Sequence, residues 1–400
     1  MNVPKLRFKE FSGEWEKKKL GEVVFSLDYG MGASAREYDG VNKYIRITDI
    51  DEVTHKYLDS DIVSPSGELN DKYVVRANDI LFARTGASTG KTYLYRDKDG
   101  ILYFAGFLIR GSVKTEYDSR FIYNQTLTNR YKKWVSIESM RSGQPGINAE
   151  QYSDFIVNIP SYNEQVKISQ LVTCVDDKID NQYNKIASLE KQKKALIQKI
   201  FSQELRFKDD DGKEFPKWEE KKLGEVAKVY DGTHQTPNYV DSGIKFVSVE
   251  DIRSLYDSNK FITVEAFNSN FKVYPQKRDI LMTRIGDIGT ATLVDRDEPI
   301  AYYVSLGLMK PFGISGEFLL QYIRSNAFQH ELWRRTLHIA FPKKINKNEI
   351  GECLVMVPCI KEQQKIAEAL STLDAKIELE NKRIEHWQQI KKGLLQQMFV

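Results

Sequence analysis

Residues 86–92 read Gly-Ala-Ser-Thr-Gly-Lys-Thr, a composition suited to cradling a phosphate. Such a loop works when four residues separate the glycines and a helix follows, so that backbone N–H groups and the helix N-terminus converge on the anion. Here three residues separate Gly86 from Gly90, and the run that follows, Tyr93-Leu94-Tyr95-Arg96-Asp97, has the look of a strand. A second stretch, Gly286-Asp287-Ile288-Gly289-Thr290-Ala291-Thr292, parallels the first but has lost the lysine. Both stretches read as tight glycine turns between strands rather than as nucleotide sites. Other chemistry is poorly supplied. There is no His-Glu-x-x-His helix or Cys-x-x-Cys pair, and no Gly-x-Gly-x-x-Gly follows a strand, which leaves a Rossmann-type dinucleotide or methyl-donor site without support. His55, His234, His330, His338 and His386 lack metal-ligand spacing, so no metal site is expected. Asp209-Asp210-Asp211 reads as a solvated linker run, and no duplicated carboxylate–lysine cluster marks a two-metal phosphodiesterase. Cys174, Cys353 and Cys359 read as reduced thiols of a cytosolic protein. The chain gives little reason to expect an enzyme.

What could position such turns is a chain that repeats itself. Leu6-Arg7-Phe8 returns as Leu205-Arg206-Phe207, and Trp15 with Lys19-Leu20-Gly21-Glu22-Val23 returns as Trp218 with Lys222-Leu223-Gly224-Glu225-Val226. Asp79-Ile80-Leu81 and Arg84-x-Gly86 return as Asp279-Ile280-Leu281 and Arg284-x-Gly286, and Pro160 with Glu164-Gln165 returns as Pro358 with Glu362-Gln363. Ordered matches over the whole of a 400-residue chain mean a duplicated domain rather than a solenoid. That length also exceeds what one core usually serves. The chain carries 41% apolar residues, which rules out a disordered or fibrous chain. No stretch approaches a membrane span, and the charged N-terminus shows no secretory signal. With 59 Lys and Arg against 56 Asp and Glu the net charge is only +3, so a nucleic-acid partner must be argued from local pattern.

Within each half the first part reads as an irregular α+β domain. Strands are expected at Tyr44–Ile50, Phe246–Ile252, Ile80–Ala83 and Ile280–Thr283, and helices over Phe121–Trp134 and Gly316–Trp333. The last forty or so residues of each half differ: from 163 to 203 and from 361 to 400 there is no proline, and Gly393 is the one glycine. Ile168, Val172, Val175, Ile179, Ile186, Leu189, Leu196 and Ile200 fall on an alternating 4,3 spacing, with Gln182 and Lys193 in the two remaining slots. Ile366, Leu370, Leu373, Ile377, Ile384, Trp387, Leu394 and Met398 repeat it, with Glu380 and Lys391 in the polar slots. A 3.5-residue period sustained over four heptads predicts a coiled-coil seam, and the matching polar slots predict a shared register. The alternative is an amphipathic helix lying on its own domain. Because a linker of some fifteen residues (204–218) leads from the first helix into the second domain, pairing requires the helices to run antiparallel. The expected architecture is two similar globular domains alternating with two antiparallel helices of ~60 Å, a dumbbell with pseudo-twofold symmetry. The boundaries read as 1–158 and 204–356 for the domains, and 159–203 and 357–400 for the helical regions.

These duplicated features resemble the specificity subunit of type I restriction-modification systems. The resemblance covers nearly the whole chain. Besides the repeated motifs it includes Ser142-Gly143-Gln144-Pro145-Gly146-Ile147-Asn148, from which the second copy departs at Ile339–Asn346, where the Gly-Gln pair is missing. The resemblance implies two target-recognition domains, each reading one half of a bipartite, asymmetric site in double-stranded DNA. It implies two methyltransferase (modification) subunits that methylate adenines, and restriction/translocase subunits. S-adenosylmethionine, ATP and Mg would be bound by those partners, and this chain would hold no cofactor and work in the cytoplasm. Phosphate contacts need Lys, Arg or small polar groups and base reading needs bidentate side chains, which turns at strand ends can present. The expected DNA-binding residues are therefore Arg84, Thr85, Ser88, Thr89, Lys91, Arg141, Ser142 and Gln144 in the first domain. In the second they are His234, Gln235, Thr236, Arg284, Asp287, Thr290, Lys343 and Lys344. The recurrence of Arg84 and Arg284 suits a phosphate or structural role better than base reading. A coiled-coil adaptor binding protein only, and a nuclease with an unrecognised site, are the competing expectations.

Overall fold

The computed structural model describes residues 2–140 and 144–400. The chain forms two compact units, residues 1–183 with 382–400, and residues 184–381. The division falls in the middle of each long helix, so each unit holds one globular domain, the start of its own helix and the end of the other.

The first unit is built on an antiparallel four-stranded sheet in the order Val24–Tyr29, Leu108–Val113, Asp79–Ala83, Thr92–Leu94. The second unit repeats it as Ala227–Asp231, Leu306–Pro311, Ile280–Thr283, Ala291–Leu293. The central strands Ile80–Ala83 and Ile280–Thr283 are wholly buried, as expected of apolar runs flanked on both sides. Each unit adds a parallel pair, Lys43–Ile45 on Leu102–Phe104 and Ile244–Val247 on Ile300–Tyr302. Each closes its domain by pairing the strand after the tryptophan with the strand before the long helix, Glu16–Lys19 on Ile156–Ile159 and Glu219–Lys222 on Leu354–Val357.

Two expectations were too long. The strands at Tyr44 and Phe246 end at Ile45 and Val247, and 3₁₀ turns occupy Ile47–Asp49 and Val249–Asp251. The cause is a carboxylate. Asp49 accepts the backbone N–H of Arg46 at 2.8 Å, and Asp251 accepts that of Ser248 at 2.9 Å, so the alternation continues in sequence while the backbone turns. The expected helices are each broken in two, into Ser119–Gln125 with Asn129–Glu138 and Gly316–Ile323 with Asn326–Arg335. Thr128 and Ser325 restart them as N-caps, their hydroxyls taking the N–H of Tyr131 and Phe328.

The long helices run Tyr162–Phe201 and Ile360–Gln397. Within each unit they are antiparallel: Asp176 meets Lys391 at 2.7 Å in the first, and Lys193 meets Asp374 at 2.5 Å in the second. Every seam residue named above is buried or half-buried. Three of the four polar slots are used: Lys193 and Lys391 make those two bridges, and buried Glu380 takes Lys185 at 2.6 Å, while the side-chain oxygen of Gln182 is buried without a hydrogen-bond partner among the described residues. The helix ends do more than pair. Met398 and Phe399 enter the first domain's core, Phe399 standing 5.1 Å from Phe121 and 6.4 Å from Trp15. Ile200 and Phe201 do the same in the second, Phe201 lying 5.8 Å from Phe318 and 6.3 Å from Trp218.

The repeated motifs build this frame. Glu164, at the start of the first helix, is buried and takes Arg7 Nε and Nη2 at 2.8 Å each; Glu362 takes Arg206 at 3.1 and 2.7 Å. The segment around Leu205 is thus a strap pinned to the helix rather than a free linker, and Asp210 within it pairs with Lys365 at 2.7 Å. Gln165 and Gln363 donate to the carbonyls of Pro160 and Pro358 and accept the N–H of Asp118 and Ser315. Glu22 and Glu225 reach back to accept the backbone N–H of Lys19 and Lys222 at 2.6 and 2.8 Å. Asp79 and Asp279 accept the N–H of Arg76 and Gln276, each at 2.8 Å. No helix among the described residues is long and apolar enough to cross a membrane.

Candidate nucleic-acid interface

Strand direction brings the candidate turns together. In the first unit the strands Val24–Tyr29 and Asp79–Ala83 end, and the strands Thr92–Leu94 and Leu108–Val113 begin, at one edge of the sheet. The loops at that edge are therefore 30–34, 84–91 and 105–107. The second unit gathers 232–236, 284–290 and 303–305 in the same way. At the opposite end, the chain beyond Val113 reaches Asp118, which takes Ser169 of the long helix at 2.6 Å.

A fourth loop joins each cluster through equivalent bonds. Ile147 N–H donates to Arg84 O at 2.9 Å and Gly86 N–H to Pro145 O at 3.0 Å; Ile345 N–H donates to Arg284 O at 3.0 Å and Gly286 N–H to Lys343 O at 2.8 Å. The divergent loop is thus footed at Lys343 and Ile345 as the first unit's loop is at Pro145 and Ile147. The turn 86–90 is closed by Gly86 and Gly90 in the left-handed region (φ 73° and 87°). It is a 3₁₀ turn between strands with no helix after it, as read from the sequence. The same five residues also spell Gly-x-Ser-x-Gly, yet a nucleophile elbow needs a strand-to-helix turn, and Ser88 Oγ lies 3.4 Å from Glu52.

The predicted contacts divide. Gln144, His234, Gln235, Thr236, Asp287, Lys343 and Lys344 are exposed at this edge, and Thr85, Ser88, Thr89 and Thr290 are half-exposed beside them. Thr89 and Thr290 also brace their turns, donating to Gly86 O and Asp287 at 2.7 Å. Arg141 and Ser142 lie outside the described residues. Two expectations are corrected. Lys91 is 7% exposed, its ammonium held by the carbonyls of Ile47 and Ile50 at 3.1 and 2.9 Å and by Glu52 at 2.5 Å. Arg284 is 6% exposed and spends its guanidinium on Ile345 O, Val304 O and Asp231. Lys91 has every donor taken, and Arg284 is buried and spends its Nε and Nη1 on the protein itself. Arg84 is half-buried, 4.9 Å from the Tyr29 ring and 3.3 Å from Gly106 O. Arg284 thus braces its loop, one of the two roles, phosphate or structural, that the recurrence suggested.

One loop was missed. Residues 30–34 are the counterpart of 232–236, and their signal was an equivalent glycine: a Cβ on Gly30 would stand 2.2 Å from Ala105 O, and one on Gly232 2.5 Å from Tyr302 O. The missed loop presents Gly32 and Ser34, and Phe107 beside it is 59% exposed. Beneath the edge, buried Tyr152 donates to Ala83 O at 2.7 Å, and burial pushes its phenol far up, so it stays protonated. Buried Cys353 likewise has its thiol pushed up to about 12 by burial. Among the described residues no group of three or more His, Cys, Asp or Glu side chains is placed to share a metal ion.

Comparison with known proteins gives a consistent picture. The family model described as the type I restriction modification DNA specificity domain matches twice, at residues 12–191 and 216–389. The MjaVIII specificity subunit of a type I restriction enzyme from Methanocaldococcus jannaschii is 24% identical, over 97% of this chain and 94% of its own. Among solved structures, the S subunit of a type I restriction-modification system from M. genitalium superposes with a TM-score of 0.60 at 17% identity, covering all of this chain and 99% of its own. A chain solved in work on assembly and conformational transition of the type I R-M system gives 0.57 at 15% identity, covering 98% and 99%. These two likenesses concern the fold.

Proposed function

This chain belongs to the type I restriction-modification DNA specificity family, the non-catalytic DNA-recognition component of those systems, and we propose that each unit reads one half of a bipartite, asymmetric duplex through the loop edge described above. One observation carries this reading. Two frames of the same strand order, pinned by equivalent residues, present loops of different sequence at the corresponding edge, as a reader of two different half-sites requires. Gln144, His234, Gln235 and Thr236 are the side chains we assign to bases, and Ser88, Thr89, Thr290, Lys343 and Lys344 to phosphates. Specificity subunits assemble with other subunits; the finer composition we propose is two modification subunits methylating adenine, joined by restriction/translocase subunits, in the cytoplasm. S-adenosylmethionine, ATP and Mg would belong to those partners, and the flipped target base to the modification subunit's pocket.

The test is the adenine methylation pattern of the host genome. A bipartite methylated motif should vanish when the gene for this chain is deleted and return on complementation. An unchanged pattern would remove the proposal. The adaptor alternative is separated by salt: a phosphate-contacting protein loses affinity linearly on a log–log plot, whereas an adaptor binds no duplex at any salt concentration.

A further inference from the structure

The divergent loop of the second unit carries the most exposed apolar side chains of the described residues. Ile339 is 99% exposed and Phe341 103%. They stand at the tip of a hairpin with a rigid base. Leu337 N–H donates to Lys344 O at 2.8 Å, and Ile345, fully buried, is bonded at both its N–H and its carbonyl to Arg284. Scattered exposed apolar residues are ordinary, but a paired apolar tip held out by a fixed base needs a partner.

Charge identifies the partner. From residue 332 to 348 the chain carries Arg334, Arg335, Lys343, Lys344 and Lys347 and not one carboxylate. Arg334 and Arg335 are paired with Glu331, and Lys347 lies 3.7 Å from Asp231. Lys343 and Lys344 are exposed and make no ion pair among the described residues. A basic collar around an apolar tip fits a polyanion with an apolar interior, which describes the base stack of a duplex. We propose that Ile339 and Phe341 form a wedge that enters between adjacent base pairs in the half-site read by the second unit, while Lys343 and Lys344 hold the flanking phosphates. Apolar side chains inserted in this way unstack a step and kink the duplex. The equivalent loop of the first unit, Ser139-Met140-Arg141-Ser142-Gly143-Gln144-Pro145-Gly146, has no aromatic residue. Met140 there is exposed but stands singly, so the paired wedge belongs to one half of the site. The inference rests on the DNA-reading function proposed above and adds how one half is read.

The experiment uses the full chain assembled with its modification subunits. The probes are duplexes bearing the methylated motif recovered from the host genome, with 2-aminopurine placed at successive positions. Fluorescence should rise at one step in one half only. Ile339→Ala with Phe341→Ala should abolish that rise and weaken binding about tenfold, the effect of losing one stacked aromatic. Phe341→Trp should keep both. Since the tip contributes nothing to the core, all variants should melt with the wild type. If the wild type binds the duplex and no position brightens, the wedge is wrong and the DNA-reading function stands. If it binds no duplex, both fall. If the alanine variant binds DNA unchanged and loses its modification subunits, the tip docks on protein and the wedge is overturned.

Discussion

Replacing Arg206 should destabilise the second unit far more than an exposed ion pair could. Glu362 is fully buried, and its carboxylate takes Arg206 Nε at 3.1 Å, Arg206 Nη2 at 2.7 Å and Trp218 Nε1 at 2.9 Å. In Arg206→Met the buried carboxylate keeps only the indole. Stranding a buried charge in this way costs ~3–5 kcal/mol. The Arg206 side chain is 24% exposed, so solvent screens part of the pair and the lower end, ~3 kcal/mol, is expected. Converting both partners to methionine leaves no charge behind; it strands the indole N–H at ~1–3 kcal/mol and frees the carbonyls of Phe215 and Pro216 at the strap's surface. The double variant should therefore be more stable than the single one. The first unit offers an internal control. Arg7 and Glu164 make the same bidentate pair, but Trp15 Nε1 has no hydrogen-bond partner. Arg7→Met leaves Glu164 without an indole donor and should cost at least as much as its counterpart, while the double replacement there should cost less. Amide hydrogen exchange over residues 6–19 and 205–222 reads the two straps separately. A double variant no more stable than Arg206→Met would show that the buried pair is not what holds the strap.

Four further outcomes follow from the same geometry. Arg284→Ala should lower Tm because it leaves two carbonyls without their donor and Asp231 with only Lys347 at 3.7 Å. Lys343→Ala with Lys344→Ala should leave Tm alone and reduce the log–log salt slope of DNA binding by about two; the opposite pattern would reverse the assignment of these cations. A half-length chain, residues 1–203, should dimerise through its seam and prefer a twofold-symmetric target, because Phe201 of one copy can fill the core position that Phe399 holds in the first unit. A stable monomer by light scattering would contradict this. His55 is held below its ordinary value, by burial first and then by Lys391, Lys132 and Lys91, against the Thr92 carbonyl that raises it. The unfolded chain takes the proton more readily, so the first unit should lose stability as pH falls below about 6.5 and through the depressed folded value, with nothing lost above that window. Asparagine suits the left-handed backbone there (φ 56°), so His55→Asn should flatten the urea midpoint between pH 7 and 5; an unchanged profile would clear His55.

The frame was legible in the sequence because its residues act locally or recur. The 4,3 spacing picked out sixteen positions that are all buried or half-buried, although Ile168, Ile200, Ile366, Leu370 and Met398 among them join the domain cores, and the repeated Glu-Gln lies at the start of both helices. What escaped depends on partners that spacing cannot reveal. Arg284 looks like a free cation until the chain returns 61 residues later and Ile345 offers its carbonyl. Lys91 is satisfied by carbonyls more than 40 residues away. Thr128 and Ser325 break helices whose apolar periodicity runs straight through them. The last helical turns were assigned to the seam alone, since nothing in a heptad says that Phe201 and Phe399 leave it to complete a domain core.

The residues that carried the family resemblance and those we assign to DNA are almost disjoint sets, and the reason is physical. A position that must be the same in both units cannot distinguish one half-site from the other, so Arg84, Arg284, Asp79, Asp279 and the Glu-Gln pairs are free to serve as bracing. A position that reads bases must be free to change without disturbing that bracing. The fourth loop shows how both demands are met. Two backbone hydrogen bonds, from Ile147 and Gly86 in one unit and from Ile345 and Gly286 in the other, hold its base. Backbone bonds tolerate nearly any side chain. Between them the first unit carries a polar Gln-Pro-Gly turn and the second a basic hairpin with an apolar tip, on the same footing. The loss of the Gly-Gln pair in the second copy is then not decay of a motif. It is the kind of replacement this footing permits, and it falls where a change of side chain alters what is read and leaves the frame intact.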